Sequence, residues 1–419
     1  MIIRPGVVIL VCMAVVACAE GGRDSPIVVR DSSGVTIVES YEGLWGEGEG
    51  WQLAVEPEVT VGSEDGPEEY SLYDVRGAIR LDDGRIVVAN SGTDELRFYD
   101  STGSHLLSVG RDGFGPGEFK DIYGMWIAGD TLVIQDFGQD RVSLFSISGE
   151  HVETVMLHRE PNTGPSVAAG TFSDGSILGG QFVFDRTTPR KEGMNFQQPD
   201  MALRRYTLDG AVLDSLGTFF VADLISEILD SKTDEATGVA YASSVTSSAP
   251  FGPHATWKAA GEHLYYGSSK SYEILVYGIQ GTLERIIRRP IPNEPVTAAD
   301  IDRFRDDFVD EDSRFASWQR RRVFELDFPG TKPAYGTIVV DKLENVWVSE
   351  YETAEDETFR DWTVFDAEGR MLGVVQVPRR MRVLEIGAEY VLGVWYTDLD
   401  VEQVRSHRFL REMSPRSSN

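Results

Sequence analysis

Ala78-Ile79-Arg80-Leu81, a turn at Asp82-Asp83-Gly84, and then Arg85-Ile86-Val87-Val88-Ala89-Asn90 open the unit that decides the fold. A short polar loop leads from there to Leu96-Arg97-Phe98-Tyr99-Asp100, and Ser101-Thr102-Gly103 leads on to Leu106-Leu107-Ser108-Val109-Gly110. Four short β-rich runs joined by Gly turns are the content of one four-stranded antiparallel sheet. The same grammar recurs along the chain. A second copy has Gly129-Asp130, Thr131 to Gln135, Val142 to Phe145 and Gly149, and a third has Asp174-Gly175, Ser176 to Leu178, Leu203 to Tyr206 and Asp209-Gly210. A fourth has Gly261-Glu262, His263 to Tyr266, Glu273 to Tyr277 and Gly281; a fifth has Glu344-Asn345, Val346 to Val348, Trp362 to Phe365 and Gly369. The turn glycines Gly84 and Gly129 are 45 residues apart, and Gly129 and Gly175 are 46 apart. Four strands every 40 to 50 residues is the period of a propeller blade.

A sixth copy, Val383 to Ile386, Tyr390 to Val394 and Val404 to Phe409, stops after three strands. Trp51 to Val55 and Glu58 to Gly62 precede the first copy and read as an outer strand. If that strand completes the sixth sheet, the ring closes and two open edges disappear. The expected architecture is all-β: a six-bladed β-propeller over 51–411, the N-terminal strand closing the last blade, followed by a polar tail over 412–419.

Arg111-Asp112-Gly113-Phe114-Gly115-Pro116-Gly117-Glu118-Phe119 resembles the G-x-G-P-G-x-F linker of NHL-repeat-like propellers. Asp136 with Asp140-Arg141-Val142 resembles the D-x-x-N-x-R-[IV] stretch of those repeats, with Asp140 where Asn is usual. Ile338-Val339-Val340-Asp341 before Asn345-Val346-Trp347-Val348 is a further blade signature. The whole resembles the bacterial six-bladed β-propeller lipoproteins of the NHL-repeat-like type. Such motifs speak for the fold and say little about chemistry, because one fold hosts many functions.

The N-terminus reads as an address. Arg4 precedes an apolar run from Val7 to Ala17, which is shorter than the roughly twenty residues a spanning helix needs. Val15-Val16-Ala17-Cys18 resembles a bacterial lipobox, which implies a signal peptide over 1–17 and a lipid on Cys18. Ala19, in place of Asp, implies outer-membrane sorting with the chain facing the periplasm. Several acyl chains on one residue would hold the protein to the membrane far more firmly than one. Residues 18–50 read as a lipidated tether with a short strand at Val35 to Glu39.

The 419 residues carry a net charge of −29 and two cysteines, Cys12 and Cys18. So acidic a chain is not built for nucleic acid, since phosphate contacts need a basic surface. A disulfide framework and a cysteine zinc site are excluded in the body. No GxSxG elbow, HExxH or P-loop occurs.

In a blade, the first-to-second and third-to-fourth turns lie on one face of the disc. The second-to-third loops and the blade connections lie on the other. The long segments Gly180 to Ala202, Thr218 to Ala255, Arg289 to Gly336 and Tyr351 to Asp361 all belong to the second kind, a gathering that marks either a working face or loops that plug the channel and shield edges. Within them a helical insertion is expected at about 297–325, between blades 4 and 5. Thr297 caps Ala298 to Phe308 with Asp300 at N3, and a second helix is expected from Ser313 to Phe324.

Residues just after the second strands reach the channel mouth on that face: Asn90, Asp136, Gly180, Gly267, Glu350 and Tyr396. A ring of such oxygens resembles the calcium site of lactonases of the paraoxonase and gluconolactonase type, and oxygen ligands suit a hard cation. The reading favoured for these residues is structural, as polar plugs hydrogen-bonded to backbone amides at the channel mouth; Asn90, Asp136 and Glu350 are also the candidate ligand-binding residues, with Asp136 and Glu350 as calcium candidates and no other cofactor expected. Two functions follow. The favoured one is a non-catalytic, monomeric binding or scaffold lipoprotein holding a protein, peptide or glycan on its looped face, with Trp318, Phe251 and Tyr351 as anchors. The alternative is a calcium-dependent lactonase or esterase.

Overall fold

The structure is a computed structural model and describes residues 25–160, 164–183, 193–233, 240–309, 316, 319–320, 323–351 and 358–412. The repeats form six antiparallel sheets in sequence order. Blade 1 comprises Val75–Arg80, Ile86–Asn90, Glu95–Tyr99 and His105–Val109. Blade 2 comprises Ile122–Ala128, Thr131–Asp136, Arg141–Ser146 and His151–Val155. Blade 3 uses Ser166–Thr171, Ile177–Val183, Asp200–Tyr206 and Val212–Phe220; blade 4 uses Thr256–Ala260, His263–Gly267, Glu273–Gly278 and Leu283–Arg288. Blade 5 is built from Ile338–Val340, Val346–Ser349, Phe359–Phe365 and Met371–Pro378. The tight turns form as their chemistry dictates. Gly84 has a φ of 87°, a left-handed conformation open to Gly at no steric cost, while Asp83 accepts the Arg85 N–H.

Blade 6 contains Met381–Ile386, Tyr390–Tyr396 and Glu402–Glu412, and the N-terminal strands complete it. Gly50–Leu53 pairs with Glu402–Glu412 in the register Trp51 to Arg411, and Val59–Val61 pairs with the same strand, Val61 opposite Val404. Trp51 then stacks on Trp347 of blade 5 at 5.4 Å and meets Phe409 at 5.5 Å. The ring is thus shut by a strand from its own beginning.

The core is six seams, one between each pair of neighbouring blades. Ile79, Phe98, Met125 and Ile134 fill the seam between blades 1 and 2, and Val61, Val75, Val88 and Val404 fill the closing seam between blades 6 and 1. Each blade buries both faces, so its middle strands read as near-continuous apolar runs.

The short strand expected at Val35 to Glu39 of the tether forms as Val35–Ser40, and it is one arm of a β-hairpin over 27–40. Ile27–Ser32 pairs with Val35–Ser40, and Val35–Ser40 runs parallel to Leu283–Arg288, the outer strand of blade 4. Trp45 then donates to Leu372 O of blade 5 at 2.8 Å, before Gly50–Leu53 reaches blade 6. The segment is a belt over the outer edges of three consecutive blades, and it covers ladder groups that would otherwise be open.

Two segments expected as loops hold a further sheet. Gly193–Gln197 from within blade 3 pairs with Leu224–Thr233, which pairs with Ala240–Ser248 from the connection to blade 4. The expected helix forms as Ala298–Phe308. Thr297 Oγ1 accepts the Asp300 N–H, and Asp300 accepts the Thr297 N–H at 2.9 Å, a reciprocal capping box. The second expected helix, Ser313 to Phe324, falls largely outside the described residues, as do Cys18 and Trp318.

Candidate functional site

The channel-mouth residues divide once their bonds are followed. Asn90 is fully buried, and its Oδ1 accepts the Tyr73 N–H at 2.8 Å while its Nδ2 donates to Thr93 Oγ1 at 2.7 Å. Asp136 is fully buried as well. Its Oδ1 accepts the Asp121 N–H at 3.2 Å, and its Oδ2 accepts the Lys120 N–H at 3.3 Å and Gln139 Nε2 at 2.6 Å. In blade 5 the residue doing this work is Ser349, whose Oγ accepts the Thr337 N–H at 2.9 Å. In blade 4 it is Ser269, whose Oγ accepts the His254 N–H at 3.0 Å.

The four form one device. A polar side chain at or just past the end of the second strand satisfies the amides of the segment leading into the first strand. Buried backbone groups need such partners, and an unmet one costs about 1–3 kcal/mol. The carboxylate of Asp136 is aimed at its own blade, and among the described residues no three His, Cys, Asp or Glu side chains group as a metal site. Gly267 leaves room for Tyr335, whose hydroxyl accepts the Ser269 N–H at 3.1 Å. In blade 3, Gly180 lies within its second strand, between Val167 and Leu203. At the end of blade 6's second strand, the Tyr396 amide donates to Arg380 O at 3.0 Å.

Glu350 lies one residue past Ser349, the residue that plays this part in blade 5. It is exposed, and its amide continues the ladder to Asp361 O at 2.9 Å. Its side chain borders two adjoining pockets of about 460 Å³ and 260 Å³, which also share Tyr351, Arg360 and Arg379. The lining comes from second-to-third loops, blade connections and the inserted helix, together with Ser349 and Phe359 to Asp361 at the ends of blade 5's middle strands, so both open on the looped face at the seam of blades 4 and 5. The helix lines the larger pocket with Asp300, Arg303, Phe304 and Asp307. Arg289, Ile291, Asn293 and Phe359 line the smaller one.

The helix is held over the pocket by charge and by rings. Asp300 Oδ1 lies 3.1 Å from Lys332 Nζ, and the Thr297 hydroxyl and amide together with that ammonium lower the Asp300 pKa to about 2. Phe304 packs on Phe328 at 5.8 Å and on Phe251 at 6.0 Å. Phe251, expected to be an exposed anchor, is therefore a half-buried support beneath the helix. Tyr351 does stand in the pocket walls.

His254 was not singled out by the sequence, yet it lines the larger pocket. Its Nε2 lies 2.6 Å from Gly336 O; a carbonyl only accepts, so Nε2 carries the proton. Ser349 lines the same pocket, and its Oγ accepts the Thr337 N–H. In the smaller pocket the Arg289 guanidinium lies 5.1 Å over the Tyr272 ring and donates to Thr363 Oγ1 at 3.2 Å. The pockets thus combine aromatic faces with guanidinium groups, which suits a ligand with an apolar body and polar or acidic substituents.

A family model for DUF5128, described as a 6-bladed beta-propeller, matches residues 68–166. No curated protein matches the chain significantly in sequence. Among solved structures, a member of the DUF4221 family from Bacteroides vulgatus is similar at 10% identity and a TM-score of 0.48, covering 86% of this chain and 99% of that one. Virginiamycin B lyase from Staphylococcus aureus is similar at 11% identity and a TM-score of 0.40, over 86% of this chain and 100% of that one. The calcium-binding protein regucalcin from Agrobacterium tumefaciens is similar at 11% identity and a TM-score of 0.38, over 87% and 97%. At such identities the activities in those names stay with those proteins. Among the described residues no helix is long and apolar enough to cross a membrane.

Proposed function

We propose that the protein is a lipid-anchored receptor of the cell envelope, tied to the outer membrane through Cys18 and facing the periplasm. Its looped face seats a small molecule, peptide or glycan in the two pockets at the seam of blades 4 and 5. The observation that carries this reading is the double pocket itself. A dedicated insertion, fixed by a capping box and a buried ion pair, lines the larger of two adjoining concavities with aromatic and guanidinium walls, whereas Asn90 and Asp136 are engaged within their own blades. Concave sites with a few placed polar groups are the usual form of a ligand site.

Thermal-shift screening of oligosaccharides, short peptides and organic acids tests the pocket. Stabilising ligands are expected, with the effect lost in Tyr351→Ala and in Arg289→Met. No stabilising ligand, or ligands indifferent to both substitutions, would overturn the assignment. Incorporation of an alkyne-tagged palmitate, lost in Cys18→Ala, tests the anchor; equal labelling of both forms would refute it.

A further inference from the structure

A third concavity, of about 1200 Å³, lies beside the two pockets. Trp51, Gln52 and Val55 of the closing segment line it, together with Val374 and Gln376 of blade 5's outer strand and Trp395 of blade 6, so it follows the seam of blades 5 and 6. Phe359 and Arg379 border both this concavity and the smaller pocket, and Arg379 borders the larger pocket as well. The three therefore adjoin, from the inserted helix at blades 4 and 5 to the closing strand at blades 5 and 6. Phe359 is 46% exposed, so its ring is open to solvent where two of them meet. Val55 and Val374 are exposed too. Exposed apolar side chains gathered in one place mark a contact surface.

Each concavity repeats one composition. The larger pocket sets Phe304 and Tyr351 beside Arg303 and Arg360. The smaller sets Phe359 beside Arg289 and Asn293. The third sets Phe359 and Trp395 beside Gln52 and Arg380. Each also has a carboxylate: Asp307, Glu294 and Glu49 in turn. A sugar ring presents C–H groups that settle on the negative face of an aromatic ring. Its hydroxyls both donate and accept, so guanidinium, amide and carboxylate groups can all meet them. A chain of such rings repeats these two surfaces unit by unit, as the three concavities do. An extended peptide instead favours an open strand edge whose ladder it prolongs, whereas the two pockets are walled by loops, strand ends and the helix.

We propose that the three concavities act as one groove for a linear oligosaccharide, which lies from the inserted helix across Phe359 to Trp395. This rests on the receptor reading above and narrows its ligand to a chain of sugar rings. The end at Tyr351 engages a short ligand, and only a longer one also reaches Gln52 and Arg380. Affinity then grows with chain length until the groove is filled, because each added ring makes its contacts without a new association penalty.

The test is titration calorimetry on the purified protein with cello-, chito- and galacturonan oligosaccharides, from dimer to hexamer. At least one series is expected to bind about tenfold more tightly as hexamer than as dimer. Gln52→Ala combined with Arg380→Ala changes two exposed positions that line the third concavity and neither pocket. That variant is expected to bind the hexamer about tenfold more weakly and the dimer unchanged, whereas Tyr351→Ala weakens both. Equal affinity at all lengths, or hexamer binding indifferent to the Gln52 and Arg380 changes, would overturn the groove and leave the two pockets as a receptor site. Binding of peptides or organic acids that Tyr351→Ala abolishes, with no oligosaccharide bound, would overturn it in the same way. No ligand of any class would remove both readings.

Discussion

Replacing Trp51 by Ala is expected to open the ring at its closure and lower stability by about 4 kcal/mol. Trp51 contacts three rings, Trp45 at 5.3 Å, Trp347 at 5.4 Å and Phe409 at 5.5 Å. Aromatic pairs contribute about 0.5–1.5 kcal/mol each beyond burial, and the low end suits a partly exposed indole, so the three amount to about 1.5 kcal/mol. Covering roughly 100 Å² of the ring at about 25 cal/mol per Å² adds about 2.5 kcal/mol. The total falls in the range of about 3–5 kcal/mol usual for Trp→Ala in a core. Urea unfolding followed by fluorescence and circular dichroism measures it. Val55→Ala serves as control, because that side chain is 89% exposed and its loss should stay within about 0.5 kcal/mol. A loss below about 1 kcal/mol for Trp51→Ala would mean that the strand is not docked as described.

Other outcomes follow from single contacts. Asp136→Ala leaves the Lys120 and Asp121 amides and Gln139 without their acceptor, and a loss of about 2–3 kcal/mol is expected in the same melts. Gly267→Ala drives a methyl into Tyr335 Oη and to 2.8 Å from Ile338 Cδ1, so a loss of about 1–3 kcal/mol is expected, whereas Gly175→Ala, with open space around it, suffers only the strain of its backbone. His407 is buried with Nδ1 donating to Ala54 O at 2.9 Å, and burial holds its pKa below 6.5. Below pH 6.5 the unfolded chain binds the proton that the folded ring resists, so stability rises with pH in that window and falls on acidification. The urea midpoint should drop between pH 7.5 and 5.5, and less so in His407→Leu; equal drops would refute the assignment. Asp300→Ala removes the reciprocal half of the capping box, leaving the Thr297 cap, and leaves the buried Lys332 ammonium with only exposed Glu294, at 3.7 Å, so ligands of the larger pocket should lose affinity while the propeller still melts cooperatively.

The fold was largely legible because its signals are local. An Asp-Gly turn such as Asp174-Gly175 specifies its hairpin within a few residues, and Gly175 does sit at a φ of 83°. The capping box at Thr297 was legible for the same reason. The strand at Val35 to Glu39 was legible too, but its partners were not: Val35–Ser40 pairs with Ile27–Ser32 and runs parallel to Leu283–Arg288, and nothing in a strand's own sequence names so distant a partner. Ser/Thr-rich Ala240–Ser248 looked like loop because it lacks an apolar face, yet it pairs at the edge of a sheet.

The candidate site was legible in position. The ends of the second strands were located, and Asn90 and Asp136 form the polar plugs, bonded to backbone amides, that the sequence favoured over a metal ring. In blade 5 the conspicuous Glu350 drew the eye one residue past Ser349, the true counterpart of Asn90 and Asp136. Sequence alone gives no register to correct that slip. His254 was missed because a single histidine before a strand has no pattern; the tertiary contact with Gly336 gives it its place.

Calcium titration calorimetry on the chelator-treated soluble chain tests most directly whether the channel-mouth oxygens are structural and the working site lies at the seam of blades 4 and 5. The account predicts no saturable heat at millimolar calcium, and the same flat trace for Asp136→Asn and Glu350→Gln. A single saturable site that both substitutions abolish would contradict it and restore the oxygen ring as a metal centre.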